Sequence, residues 1–140
     1  MIVLDTNVIA ALMQVVPDEQ VISWLDRQPR SSIWTTAINV YETRFGLLRM
    51  PSGRRRDMLM GLFERVLSET IQGRVANLDF AAAEQAAELE AARENKGKPG
   101  DLRDTMIAGI VLASHATLAT RNVKHFEDIA ATVVNPWDKK

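Results

Sequence analysis

The chain has 140 residues, 46% hydrophobic and 25% charged, the profile of one ordinary globular domain spanning 1–140. It has no cysteine, which excludes disulfides, thiolate metal sites and cysteine nucleophiles, and only two histidines, too few for a histidine-rich zinc centre. Any metal must rest on oxygen ligands, which suits Mg2+ or Mn2+. A formal net charge of -1 argues against a protein that grips nucleic acid by bulk electrostatics.

The chain opens on Ile2 to Leu4, a short apolar run that reads as a strand, with no basic leader segment before it. No stretch approaches the ~18 apolar residues of a membrane span, so a cytoplasmic protein without membrane contact is expected. Asp18 can cap a helix carrying Val21, Ile22 and Leu25 on one face and ending before Pro29. A second strand is predicted at Ser32 to Thr35. Thr35 or Thr36 then caps a helix with Ile38, Tyr41, Glu42, Phe45 and Leu48 at helical spacing.

Pro51-Ser52-Gly53 breaks the chain. A helix from about Arg55 to Ile71 follows, with Met58, Leu59, Leu62, Phe63, Val66 and Leu67 inward. The run Arg54-Arg55-Arg56 at its start reads as a solvated face, though positive charge there opposes the helix dipole. Arg74 to Leu78 is the third strand, and the alanine- and glutamate-rich Phe80 to Asn95 is a strong helix former. Gly97-Lys98-Pro99-Gly100 stops it, and Asp101 opens a final long helix through Ile107, Val111 and Leu112 to about His115. Thr117 to Thr120 and Thr132 to Asn135 complete five strands. Strands alternating with helices predict an α/β fold, a parallel five-stranded sheet sandwiched between helices.

Several acidic residues stand where local structure alone does not call for them. Asp5 follows directly on the first strand, and the carboxyl ends of parallel strands form the binding crevice of such sheets. It can equally make an Asx-turn or cap a helix beginning at Asn7. Glu42 falls between Ile38 and Phe45 on an apolar stripe, where an ionised carboxylate needs a partner. A cation would serve, and so would Arg44 or Arg121. Asp104 has Ile107, Ala108 and Val111 at i+3, i+4 and i+7. It shares the inward face, although the helix N-terminus would stabilise an aspartate there in any case. Ala119-Thr120-Arg121-Asn122 repeats the layout of Leu4-Asp5-Thr6-Asn7, so Asn122 either faces the crevice of Asp5 or starts a turn. Convergent carboxylates whose mutual repulsion a divalent ion relieves make an oxygen-only metal site.

These segments resemble a PIN domain, and more closely the toxin nucleases of bacterial type II toxin–antitoxin pairs, the VapC and FitB-like group. The matching stretches are Ile2 to Ile9, Thr36 to Glu42, Leu102 to Ala108, Leu118 to Asn122 and Val133 to Trp137, in order and at the family's spacing. The resemblance implies metal-dependent RNA hydrolysis at the strand ends. Asp5, Glu42 and Asp104 match the family's principal acids, as metal ligands and catalytic groups. Thr6 matches a hydroxyl residue beside them, and Asn122 stands where many relatives have a fourth acid. His125 stands where relatives often place another aspartate. Fewer carboxylates should weaken metal affinity.

On this reading Asn122 orients water, and Thr6, Thr120 and Arg121 contact the RNA substrate. Arg121, Lys124 and His125 either place positive charge at the pocket rim or form a solvated basic turn. Asp5→Ala and Asp104→Ala should each abolish cleavage and leave the fold intact. The resemblance further implies a cognate antitoxin, whose C-terminal segment would plug the acidic pocket. It also implies a homodimer, a higher hetero-oligomer with the antitoxin, and DNA contact only through that partner. A PIN-fold binding subunit with little nuclease activity is the rival within the fold. A receiver domain would need an acidic pair beside Asp5 and a lysine directly after the fourth strand, and neither is present. A haloacid-dehalogenase phosphatase would need aspartate where Asn7 stands.

Overall fold

Five short parallel strands organise the chain: β1 (Ile2–Leu4), β2 (Ile33–Thr36), β3 (Val75–Ala76), β4 (Thr117–Ala119) and β5 (Val133–Val134). The structure, a computed structural model, describes residues 1–138. The strand order is β3-β2-β1-β4-β5, and each neighbouring pair is parallel. The chain proceeds outward from β1 through β2 to β3, then returns to place β4 on the other side of β1. The order therefore reverses between β1 and β4, where a doubly wound sheet opens a crevice at its carboxyl edge. The register Leu4↔Ala119 brings the ends of these two strands level, so Asp5 and Thr120 emerge side by side.

Among the described residues six α-helices cover the sheet: α1 (Thr6–Leu12), α2 (Glu19–Asp26), α3 (Ala37–Leu48), α4 (Arg54–Arg65), α5 (Phe80–Asn95) and α6 (Leu102–Ala113). Because side chains alternate along a strand, each strand serves both faces. Leu4 and Ala119 enter a core with Val8, Ile9, Val21, Leu47 and Phe63. Val3 and Leu118 enter a second core with Ile107, Ala108, Val111 and Phe126. α5 and α6 approach closely because Gly109 has no side chain: a Cβ there would lie 2.5 Å from the Ala82 carbonyl oxygen. No helix among the described residues is long and apolar enough to cross a membrane.

The expected architecture is present, with local corrections. α5 occupies the expected Phe80–Asn95, and Asp18 and Asp101 cap α2 and α6 as expected. The second strand runs one residue later than expected, and the third and fifth have only two paired residues each. The helix expected over 55–71 starts at Arg54 and widens into a π turn at Val66–Thr70, closed by the Ile71 N–H to Val66 carbonyl bond of 2.9 Å. α1 is a full element where only a possible cap was expected. α3 shows the largest difference, because its buried residues are Asn39, Thr43 and Leu47. Tyr41, Phe45 and Leu48, whose spacing fits either a core face or a partner surface, are 56%, 45% and 56% exposed.

Candidate active site

The site is built on Asp5, whose carboxylate is buried to 4% exposure and meets four protein donors. Oδ1 accepts from the Thr6 backbone N–H at 2.8 Å and from Asn39 Nδ2 at 3.0 Å. Oδ2 accepts from Thr120 Oγ1 at 2.7 Å and, more distantly, from Asn7 Nδ2 at 3.5 Å. Asp5 thus caps α1, which begins at Thr6, and at the same time sits at the switch-point crevice.

Asn39 explains why the buried face of α3 is polar. Thr36 at the end of β2 caps that helix, accepting from the Asn39 N–H at 3.2 Å. The Thr36 hydroxyl donates to Asn39 Oδ1 at 2.6 Å, which fixes the amide so that Nδ2 points at Asp5 and, at 3.0 Å, at Thr6 Oγ1. Sequence reasoning passed over Asn39. Its signal was a pair of small polar residues, Asn39 and Thr43, at i and i+4 on a helix directly after a strand.

Thr6 carries the network to the second acid by donating its hydroxyl to Glu42 Oε1 at 3.0 Å. Glu42 leaves the expected stripe, because Phe45 faces solvent, yet its side chain is only 19% exposed. Burial pushes its carboxyl above the ordinary 4.5. The charges of Asp5 and Asp104 add to this, against the Thr6 hydrogen bond and Arg103. Neither expected arginine reaches it. Arg44 pairs with Glu64 at 2.6 Å, and the Arg121 guanidinium lies over the Trp137 ring, 4.6 Å from its centroid. Arg103 approaches instead, its Nε 3.6 Å from Glu42 Oε2.

The third acid, Asp104, sits in the first turn of α6 with its side chain 21% exposed. Burial raises its carboxyl above 3.8, and the charges of Asp5 and Asp101 raise it further, against a hydrogen bond with His125. His125 Nδ1 lies 3.1 Å from Asp104 Oδ2. Where relatives were expected to place another acid, this chain therefore sets an imidazole against Asp104.

Thr120 is buried behind the acids, while Asn122 is exposed. Thr120 is fully buried, donates to Asp5, and accepts from Asn7 Nδ2 at 3.3 Å and the Asn122 N–H at 3.0 Å. Its hydrogen-bonding capacity is filled within the protein, beneath the acids. Asn122 is exposed and makes no side-chain cap hydrogen bond to the short 3-10 turn that follows it. The turn reading holds for its backbone, and Thr120 is the member of this segment that touches Asp5. Thr6 is likewise engaged between Asn39 and Glu42.

Among the described residues, no group of three or more His, Cys, Asp or Glu side chains is arranged to hold one metal ion. The expected ligand set Asp5, Glu42 and Asp104 thus shares a crevice and a field without closing on one point. Each acid is met instead by a group of the protein: Asp5 by its four donors, Glu42 by Thr6 and Arg103, Asp104 by His125.

The raised Glu42 pKa makes this acid a cost to stability, fully present well above its folded pKa and relieved as the pH falls towards 4.5. Glu42→Gln keeps an acceptor for Thr6 and removes the charge. It should stabilise the protein at neutral pH by about 1 kcal/mol. That advantage should vanish in acid, where the native carboxyl takes up its proton. Urea unfolding of both proteins across this range tests it, and a variant less stable than the native protein at neutral pH contradicts it.

The PIN domain profile matches residues 2–131. "VapC ribonuclease Y4jK" of Sinorhizobium fredii is 38% identical over 138 residues, covering 99% of this chain and 99% of the relative. "Toxin FitB" of Neisseria gonorrhoeae is 31% identical over 137 residues, covering 98% of this chain and 99% of the relative. The crystal structure of FitAcB from the same organism superposes with a TM-score of 0.87 at 30% identity, covering 99% of this chain and 100% of that one. Fold, strand order and full-length similarity agree: this chain belongs to the PIN domain family.

Proposed function

We propose that the chain is a divalent-metal-dependent endoribonuclease and the toxin of a toxin–antitoxin pair. The observation that carries this is the meeting of three carboxylates from three βα units at one switch-point crevice, where the charge of Asp5 raises both Glu42 and Asp104. Full-length relatives named VapC ribonuclease and Toxin FitB support RNA as substrate and the toxin role. The solved FitAB assembly on a DNA fragment supports a cognate antitoxin as partner, with DNA reached through it. A homodimer in the cytoplasm, extended by the antitoxin, belongs to the same reading.

The donor set fits a hard cation. It consists of carboxylates alone, two of them destabilised by like charge, and Asp104 Oδ1 carries no protein hydrogen bond among the described residues. Asp5, Glu42 and Asp104 would hold Mg2+ or Mn2+, which supplies an activated water and neutralises charge on the phosphate. The chain's own residues do the positioning. Asn39 and Thr120 fix the Asp5 carboxylate, and Thr6 fixes Glu42. By holding the metal, these carboxylates would position its water against the phosphate. The exposed Asn122 amide is free to orient that water.

The test is cleavage of RNA by the purified chain. Asp104→Asn should lower the rate by about 10²–10⁴-fold, and a chelator should abolish it. Native rates in that variant, or in excess chelator, would overturn the assignment. A PIN-fold binding subunit with little activity is the second reading, favoured by the acids' failure to close on one point. It predicts no binding of Mg2+ or Mn2+ at millimolar concentration.

A further inference from the structure

We propose that Arg103 is the residue that takes a substrate phosphate at this site, an inference that rests on the nuclease reading above. Arg121, the arginine expected at the rim, is turned onto Trp137, and Arg44 is paired with Glu64. Arg93 is buried, with its guanidinium engaged by Asp128, Thr105 and the His125 carbonyl. The exposed Arg121 guanidinium rests its face on Trp137 and makes no ion pair with the acids, and neither Arg44 nor Arg93 has a guanidinium open to a ligand beside them.

Arg103 does. It precedes Asp104 in the first turn of α6, and its side chain is 42% exposed. Its Nε stands 3.6 Å from Glu42 Oε2 and 3.7 Å from Asp101 Oδ1. Both distances exceed that of a hydrogen bond. Its side chain makes no hydrogen bond among the described residues, so the guanidinium fork is held by charge alone and keeps its donors. A cation in the first turn also opposes the helix dipole, which leaves it seeking an anion stronger than its present neighbours.

The chemistry follows from competition for Glu42. A divalent ion held by the acids would neutralise the carboxylate that now attracts Arg103. The guanidinium is then free on the lip of the crevice, one residue from Asp104, where a phosphate oxygen arrives. Its planar fork matches phosphate with two parallel hydrogen bonds, which a lysine cannot reproduce. Arg103 thus serves binding, while the acids would hold the metal.

Binding and cleavage must be read separately to test this. A fluorescently labelled short single-stranded RNA of mixed sequence is titrated with the native chain, Arg103→Gln and Arg103→Lys, with Ca2+ as the divalent ion. Salt is varied, oligonucleotide integrity is checked on a gel, and thermal melts verify that the variants fold. Arg103→Gln should weaken binding about tenfold. It should also reduce the slope of log affinity against log salt by about 0.7, the value for one single-strand phosphate contact. Arg103→Lys should restore the slope and only part of the affinity. Native affinity and slope in Arg103→Gln overturn the proposal, whether or not the native chain cleaves RNA. A native chain that binds RNA through Arg103 in Ca2+ and cleaves none in Mg2+ or Mn2+ overturns the nuclease reading and leaves this one standing. A native chain that binds no RNA overturns both.

Discussion

Asp5→Ala should lower the melting temperature by about 10 °C, corresponding to ~3–5 kcal/mol for a domain of this size. This differs from the intact fold that the sequence leads one to expect of that variant. The reason is the number of groups that depend on one carboxylate. Removing it uncaps α1, where loss of an N-cap acceptor costs about 0.5–2 kcal/mol. It also strips an acceptor from Asn39 and from Thr120, both at 0% exposure, and a buried donor left unpaired costs about 1–3 kcal/mol. Asn39 retains Thr6 as a partner, which moderates the sum. Asp5→Asn does not escape the problem, because a carboxamide must turn its NH2 towards groups that are themselves donors: Asn39 on one side, Thr120 and Asn7 on the other. Asp104 has only His125 against it and remains partly exposed, so Asp104→Asn should melt near the native temperature. Calorimetry of the three variants decides the matter. Loss of cleavage in an Asp5 variant reports chemistry only where the variant is shown to be folded, and an Asp5→Ala protein that melts with the native chain contradicts the account.

The same residue shows how far the sequence could be read. Strand identity, strand direction and the three acids were all legible, because alternating apolar runs and helices permit few topologies and because carboxylates after strands stand out. Asp5 was legible as an acid at a strand end. Its saturation by donors was not, because Asn39 and Thr120 come from α3 and from the end of β4, distant in sequence. The helix α3 misled for a physical reason. Tyr41, Phe45 and Leu48 face solvent, and its buried face carries Asn39, which joins the network behind the site, together with Thr43 and Leu47. Periodicity finds a face but cannot say which face is covered when the covered one is polar. α1 was legible only as one of two alternatives, because Asp5-Thr6-Asn7 also reads as a polar turn and the helix has only seven residues. The choice of Arg103 over Arg44 or Arg121 as the neighbour of Glu42 is a fact of tertiary packing, which no spacing encodes.

The second large effect concerns a strut that sequence reasoning did not single out. The Arg93 guanidinium donates to both oxygens of Asp128, at 2.8 and 2.9 Å, and at 3.0 Å to Thr105 Oγ1 and to the His125 carbonyl. It thereby ties the end of α5 to the residue after Asp104 and to the turn that carries His125. The two partners are unequally buried, with side-chain exposures of 6% for Arg93 and 36% for Asp128. Removing Asp128 strands a cation that water does not reach, whereas removing Arg93 leaves a carboxylate that can rehydrate. Asp128→Ala should therefore cost about 1.5–3 kcal/mol, the range for a hydrogen bond to a charged group, screened on the Asp128 side, and Arg93→Met should cost less despite losing more hydrogen bonds. The pH dependence follows from the direction of the Asp128 shift. Its hydrogen bonds to Arg93 hold the carboxyl below 3.8, so the pair's contribution is complete above that value and is lost as the pH falls through the folded pKa. In strong acid the native Asp128 is neutral, and the gap between native protein and Asp128→Ala should narrow. Glu90 and Asp104 also act on Arg93 and keep part of the cation's stabilisation while they stay ionised. Urea unfolding of the three proteins at neutral pH and well below 3.8 tests both the order and the narrowing; if Arg93→Met is the less stable variant at neutral pH, burial of the cation does not dominate this strut.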